Sequence, residues 1–281
     1  LKAGYETSGS VYLNQLEKST LSNKQLILNS SPYLIYEINS DLVYVEISTF
    51  AGQSFHLYEN QVMPILDPYQ GVIFDVRNNG GGNFTNALII LQSFSQAPIP
   101  PFYNLDSEFH SSWVPYGEYT DTIFYSGSDM NKKAMRIMKH EYYGANEDVE
   151  TILDEMEVEP YPILTTHILN KPVMILTSQF SASTAEMFAA TAKLLDNFTI
   201  MGLTTYGVMG NHCRVNLSDG SAYSLSVDQS FSPDKQPFWN RGVPPDIEIW
   251  TTPEDLLTGE DTVLNAAIEV LQNQIKERTG E

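Results

Sequence analysis

Cysteine is almost missing from this chain. Cys213 stands alone among 281 residues, so no internal disulfide can form and a disulfide-stapled scaffold is excluded. Basic residues are also scarce, 15 against 35 acidic, for a formal net charge of −20. A surface of that sign repels phosphate backbones and anionic membranes, so nucleic acid is not an expected partner. No apolar run reaches the roughly eighteen residues a membrane-crossing helix needs. The chain opens at Leu1 without a basic and then apolar leader, and a processed start is the expectation. No pair of its five histidines has metal-ligand spacing, so neither a metal nor a cofactor is expected. What is present is 42% hydrophobic residues, enough to build one large core or two smaller ones.

Residues 1–31 are polar and turn-rich, with a candidate strand at Lys24–Leu28, and read as an appendage to a core spanning 32–281. Tyr33–Ile38 and Leu42–Ile47 are β-branched and aromatic around the turn Asn39-Ser40-Asp41, which predicts a hairpin. Gly71–Val76 (GVIFDV) is a short unbroken apolar run, the pattern of a strand covered on both faces. A glycine-rich turn closes it, and a helix is expected from Phe84 with Ala87, Leu88, Leu91 and Phe94 inward.

Residues 97–165 are proline- and aromatic-rich at Pro98–Trp113, carry a helical pattern around Asn131–His140, and read as an insertion or lid. The acidic stretch Glu147–Glu159 reads as a solvated face. Pro172–Thr177, Thr184–Leu195 and Phe198–Gly202 form a strand, helix and strand, hence a parallel pair. Cys213–Val227 alternates around Ser218-Asp219-Gly220 and predicts an antiparallel hairpin. A last helix is expected over Thr262–Lys276, with Val263, Leu264, Ala267, Ile268, Leu271 and Ile275 on one face and Gly280 as its stop.

Loops and helix N-termini converge at the carboxyl ends of parallel strands, where ligands gather. Three segments should meet there: Arg77–Gly82, Ser181–Thr184 and Thr204–Val208. Ser183 with Glu186 fits S-x-x-E, the capping box, which explains the serine without any chemistry. A serine at a helix entrance facing a turn of bare amides is, alternatively, the arrangement of a nucleophile beside an oxyanion site. Gly80–Thr85 lacks the G-x-G-x-x-G fingerprint and no phosphate-loop lysine follows, which argues against a nucleotide site.

In order along the chain, YVEISTF (44–50), GVIFDVRNNGGG (71–82), PVMILTSQFSASTAEMFA (172–189), MGLTTYG (201–207) and GVPPDI (242–247) resemble the S41 family, the C-terminal processing or tail-specific serine proteases. The resemblance runs over about residues 33–250. It implies an α/β core similar to the ClpP/crotonase fold, with a twisted, largely parallel sheet, flanking helices and antiparallel hairpins. It implies a serine-type peptidase acting on polypeptides, commonly exported or membrane-anchored. By the same resemblance Ser183 is the nucleophile, and the amides of Thr184 and Gly81 are the oxyanion donors. Asp75, Arg77, Asn79 and Glu186 are then structural.

One departure bears on mechanism. Lysine-dependent members carry the general base in a turn similar to T-F-G-K-G, and here that turn reads Thr205-Tyr206-Gly207-Val208-Met209, with Val208 in the lysine's place. Valine cannot take a proton. Lys193, ten residues along the helix from Ser183, is about 15 Å away by helical rise and cannot substitute. Other members resemble this chain in lacking the lysine and use a histidine, whose ordinary pKa suits the task. His212 is the first candidate because it lies four residues beyond Val208, and His56 is the second; His110, His140 and His167 fall in the insertion or its exit. The alternative is a degraded relative that binds peptides or serves as a scaffold.

Overall fold

The computed structural model describes residues 20–52, 54–95, 98–106, 153–154, 156, 159–210, 212–216, 219–226 and 228–280, with the backbone alone of 104–106, 212–216, 223–226, 228 and 256. The helix expected around Asn131–His140 and most of the acidic stretch from Glu147 lie outside them. The chain divides into two units: Leu1–Ile99, Tyr161–Gly207 and Asn240–Glu281 form one, Pro100–Pro160 and Val208–Trp239 the other.

The first unit is built on a seven-stranded sheet. In chain order its strands are β1 (Gln25–Ser30), β2 (Tyr33–Glu37), β3 (Leu42–Ile47), β4 (Gly71–Asp75), β6 (Val173–Thr177), β7 (Phe198–Gly202) and β11 (Ile247–Glu248), and this is also their spatial order. β3, β4, β6, β7 and β11 run parallel, while β2 is antiparallel to both β1 and β3. The turn between β2 and β3 is fixed by Asn39, whose Oδ1 accepts from the amides of Asp41 and Leu42. β1 is the sheet's edge, and Leu21 just before it is buried in the core. The boundary expected at residue 31 is therefore not the edge of this unit.

Register alternation sends successive side chains of the buried strands to opposite faces. On one face Tyr44, Ile73, Met174 and Met201 pack against Val263, Leu264, Ala267 and Leu271 of the C-terminal helix, Thr262–Thr279. That helix ends on Gly280 in the left-handed conformation, as its sequence predicts. On the other face Phe74 meets Phe94 and Phe188 edge-on, and Phe188 meets Phe50 at a tilt. Two adjoining helices, Phe84–Gln92 and Thr184–Ala192, accompany this aromatic layer, Phe188 coming from the second and Phe94 from just beyond the first. Here the helices are α1 (Phe55–Leu57, a π-helical turn Tyr58–Val62, then Met63–Leu66), α2 (Phe84–Gln92), α3 (Thr184–Ala192), α4 (Pro253–Thr258) and α5 (Thr262–Thr279).

α2 is enclosed all round rather than on one stripe, with Asn86 and Gln92 buried as well. Gln92 is accommodated because its amide donates to the Pro162 carbonyl and accepts from Leu164 N–H. α3 stops three residues short of Leu195. α1 escapes the sequence pattern because its π-helical turn breaks the 3.6-residue period and Pro64 sits in its final piece.

In the second unit β5 (Tyr103–Asp106) pairs antiparallel with β10 (Asp228–Phe231), and the expected hairpin is β8 (His212–Asn216) with β9 (Ala222–Ser226). Leu153 and Phe231 form its small core with Tyr103 and Met156. The β5–β10 pair escapes the sequence reading because Pro98, Pro100 and Pro101 precede β5 and its partner lies over a hundred residues away. Among the described residues no helix is long and apolar enough to cross a membrane.

Candidate active site

The register aligns Glu46, Asp75, Leu176 and Met201 across the sheet, so the loops leaving β4, β6 and β7 emerge side by side. The loop after β4 is anchored by charge. Arg77 is buried; its Nε and Nη2 donate to Asp75 and its Nη1 and Nη2 donate to Asp261, both Nη2 contacts at 2.6 Å. Tyr44 donates to the same Asp75 carboxylate at 2.8 Å. Burial alone works against the guanidinium charge, but the two carboxylates outweigh it and hold Arg77 firmly protonated.

Hydroxyls then fasten the β4 and β6 loops together. Ser178 Oγ donates to the Arg77 carbonyl at 2.5 Å, Ser181 Oγ donates to Val76 O at 2.8 Å, and Ala182 N–H donates to Asn79 O at 3.0 Å. The hydroxyls of Ser178 and Ser181 are thus structural, and that of Ser183 is the one left over.

The glycine turn is shaped by Asn79. Its Nδ2 donates to Ile47 O and its Oδ1 accepts from Gly81 N–H, both at 2.9 Å. Gly81 (φ 105°) has no room for a side chain: a β-carbon would stand 2.7 Å from Ser183 Cβ and 3.0 Å from Thr184 N. At Gly82 (φ 141°) it would fall 2.2 Å from the backbone of Phe50 and Ala51. The Gly81 carbonyl accepts from Phe50 N–H at 2.9 Å and Thr49 Oγ1 at 3.1 Å. A trans peptide points its N–H opposite to its C=O, so the Gly82 N–H is turned away from the β3 side. That N–H, like the Thr184 N–H, makes no hydrogen bond to a described residue.

Ser183 opens α3 in a conformation unusual for a residue with a side chain, φ 54° and ψ −119°. Its hydroxyl lies where a capping box would put it, yet the Glu186 N–H goes to the Ser183 carbonyl at 2.8 Å and the hydroxyl makes no cap hydrogen bond. Both halves of the box are in position, but only the returning one is a hydrogen bond, Ser183 N–H donating to Glu186 Oε2 at 3.0 Å. Glu186, fully buried, accepts with its other oxygen from Thr205 Oγ1 at 2.8 Å and from Gly207 N–H at 2.7 Å. Tyr206 N–H donates to Ser181 O at 2.9 Å. The turn after β7 is thereby held against the entrance of α3. A half-buried hydroxyl, two amides unengaged by any described residue and a bare glycine surface lie beside one another, the arrangement acyl transfer uses to attack a carbonyl and stabilise its oxyanion.

Residues 41–249 match the profile of peptidase family S41. The chain belongs to this family. Among curated relatives it is 27% identical over 126 residues to the tricorn protease of Thermoplasma acidophilum, a match covering 42% of this chain and 11% of that protein. It is likewise 27% identical over 126 residues to the chloroplastic carboxyl-terminal-processing peptidase 3 of Arabidopsis thaliana, covering 44% of this chain and 24% of the relative. The chain thus spans under a quarter of the length of these relatives. Among solved structures, a Parabacteroides merdae protein described as a peptidase superposes with a TM-score of 0.65 at 22% identity, covering 92% of this chain and 69% of that one. Mature CPAF superposes at 0.64 with 14% identity, covering 91% and 57%. Both likenesses bear on the fold, a mixed and mostly parallel sheet flanked by helices.

Of the residues singled out in the sequence, the S41 core brings Ser183, Thr184 and Gly81 together. The Gly81 N–H, however, is engaged by Asn79 Oδ1, and the amide left unengaged is the next one, of Gly82. His212 opens β8 in the second unit, where its backbone pairs with Ser226. His56 is exposed, touches the Phe55 ring at a tilt and lies 3.9 Å from Glu59. His167 is exposed 4.0 Å from Asp67. His110 and His140 lie outside the described residues. Lys193 is occupied elsewhere, donating to Pro244 O and Asp246. The linking role of Glu186 was not legible beforehand, because S-x-x-E names only its helix-capping partner and Thr205 is nineteen residues away.

Proposed function

We propose that this chain is a serine peptidase of the S41 family that cleaves polypeptides through an acyl-enzyme on Ser183. The observation that carries the reading is the strained Ser183 backbone with its hydroxyl withheld from helix capping: strain of this kind costs about 1–3 kcal/mol and persists where function requires it. In the reaction Ser183 Oγ loses its proton to a base and attacks the scissile carbonyl carbon. The oxyanion that forms is met by the N–H groups of Thr184 and Gly82. Collapse breaks the C–N bond as the amine leaves with a proton, and water releases the acyl group in a second pass.

With Val208 in the family's lysine position we assign the base to His212. The substrate is an extended peptide that adds along an exposed strand. An exported location follows the family resemblance, one solved neighbour being described as a lipoprotein from Streptococcus agalactiae. A fluorophosphonate probe tests the central claim. Labelling of the folded protein at Ser183, lost in Ser183→Ala and slowed in His212→Ala, is the expected result. A folded protein that resists the probe overturns it.

Val208 specifically favours one other reading, a peptide-binding module without turnover. That reading requires peptide affinity unaffected by Ser183→Ala and no hydrolysis at any pH, and turnover lost in Ser183→Ala rejects it.

A further inference from the structure

We infer that the Thr184 side chain, distinct from its backbone amide, is a positioning residue that holds the Gly82 peptide in the orientation needed to bind an oxyanion. This rests on the reading of Ser183 as a nucleophile.

Gly82 lies between two peptide planes. The plane before it is fixed from the β3 side, where the Gly81 carbonyl accepts from Phe50 N–H and Thr49 Oγ1. In the plane after it, Asn83 N–H donates to Phe50 O at 2.8 Å, and the Gly82 carbonyl, pointing oppositely, accepts from Thr184 Oγ1 at 2.6 Å. That hydroxyl is the only anchor of this carbonyl among the described residues, and it comes from α3, the helix that carries Ser183. Glycine with a positive φ has the freest backbone of any residue, and at Gly82 even a methyl group is excluded by the Phe50 and Ala51 backbone, so no side chain of its own can stiffen it. The stiffness must come from hydrogen bonds on both sides.

Thr184 is buried at 3% exposure, which places its hydroxyl out of competition with water. The same residue therefore offers its N–H to the reacting oxygen and uses its Oγ1 to tie the second donor to the first. The two donors are held on one rigid body with the nucleophile, which is how preorganised donors act without reorganising during the reaction.

The test separates side chain from amide. In Thr184→Val the shape and the N–H are kept and the hydroxyl is lost; in Thr184→Ser the hydroxyl is kept. The expected result is a fall of about tenfold in kcat for peptide hydrolysis and in the rate of fluorophosphonate labelling for Thr184→Val, with KM within a factor of two and Thr184→Ser near the native rate. Circular dichroism and the unfolding midpoint establish that each variant is folded. Should Thr184→Val fail to fold, Thr184→Ser against Thr184→Ala carries the same comparison. Equal kcat in Thr184→Val and the native protein overturns the inference, as does a loss that Thr184→Ser fails to restore. A native protein that the probe does not label overturns the nucleophile assignment instead.

Discussion

Two helices of this protein begin on the same sequence pattern and use it differently. α4 begins Thr252-Pro253-Glu254-Asp255 and closes both halves of its box: Thr252 Oγ1 accepts from Asp255 N–H at 3.2 Å and Asp255 Oδ2 accepts from Thr252 N–H at 2.6 Å, with Thr252 in extended backbone. α3 begins Ser183-Thr184-Ala185-Glu186 and closes one. There the serine sits at φ 54°, the acid alone performs the capping, and the hydroxyl is left over. At α4 the cap serves the helix. At α3 the acid caps the helix and also holds the neighbouring turn.

The difference is open to attack by mutation. The largest effect is expected from Ser183→Ala: at least a thousandfold loss of hydrolysis with the urea midpoint scarcely moved, since no cap bond is lost. An unfolding free energy lowered by about 1 kcal/mol, the ordinary cost of an N-cap deletion, would show that the hydroxyl caps after all. Next comes Glu186→Gln, where a fully buried group that accepts from Ser183, Thr205 and Gly207 has one oxygen replaced by a donor. A loss of about 3 kcal/mol is expected in denaturant unfolding, together with loss of labelling.

Ser183→Gly should abolish labelling yet raise stability by about 1 kcal/mol, because glycine adopts the Ser183 backbone without strain. Thr252→Ala should do the reverse, lowering stability by about 1 kcal/mol and leaving turnover unchanged. The smallest effect is that of acid on α4. The Thr252 N–H, followed by the Thr262 side chain, holds the Asp255 carboxyl below its ordinary value, so its contribution is complete above that value and disappears as pH falls through the lowered one. Amide exchange in α4 should quicken over that interval in the native protein and be insensitive to it in Asp255→Asn.

Much of the architecture could be read directly. The unbroken apolar runs at 71–76 and 172–177 are strands β4 and β6, buried throughout, and the stripe of Val263, Leu264, Ala267 and Leu271 is the face α5 lays on the sheet. These succeed because burial on both faces, or on one face of a helix, imposes a local pattern. α1 and the β5–β10 pair were not readable, the first because a π-helical turn breaks its period, the second because its pairing is set by a partner far along the chain. The site divides in the same way. Ser183 and the glycine turn carry their own local signatures, whereas the choice between the amides of Gly81 and Gly82 depends on the Asn79 side chain folding back two residues.

The sequence by itself determined the buried strands and the helices between them, the family, and the few residues around which a reaction could be built, since each of these is written in short-range pattern. Only the tertiary structure decided that the Ser183 hydroxyl makes no cap hydrogen bond to its own helix, that Glu186 joins α3 to the turn after β7, and that Thr184 ties Gly82 to α3. The physical reason is that buried donors and acceptors must all be satisfied at once, and which partner each one takes is settled by segments that meet only when the sheet has formed.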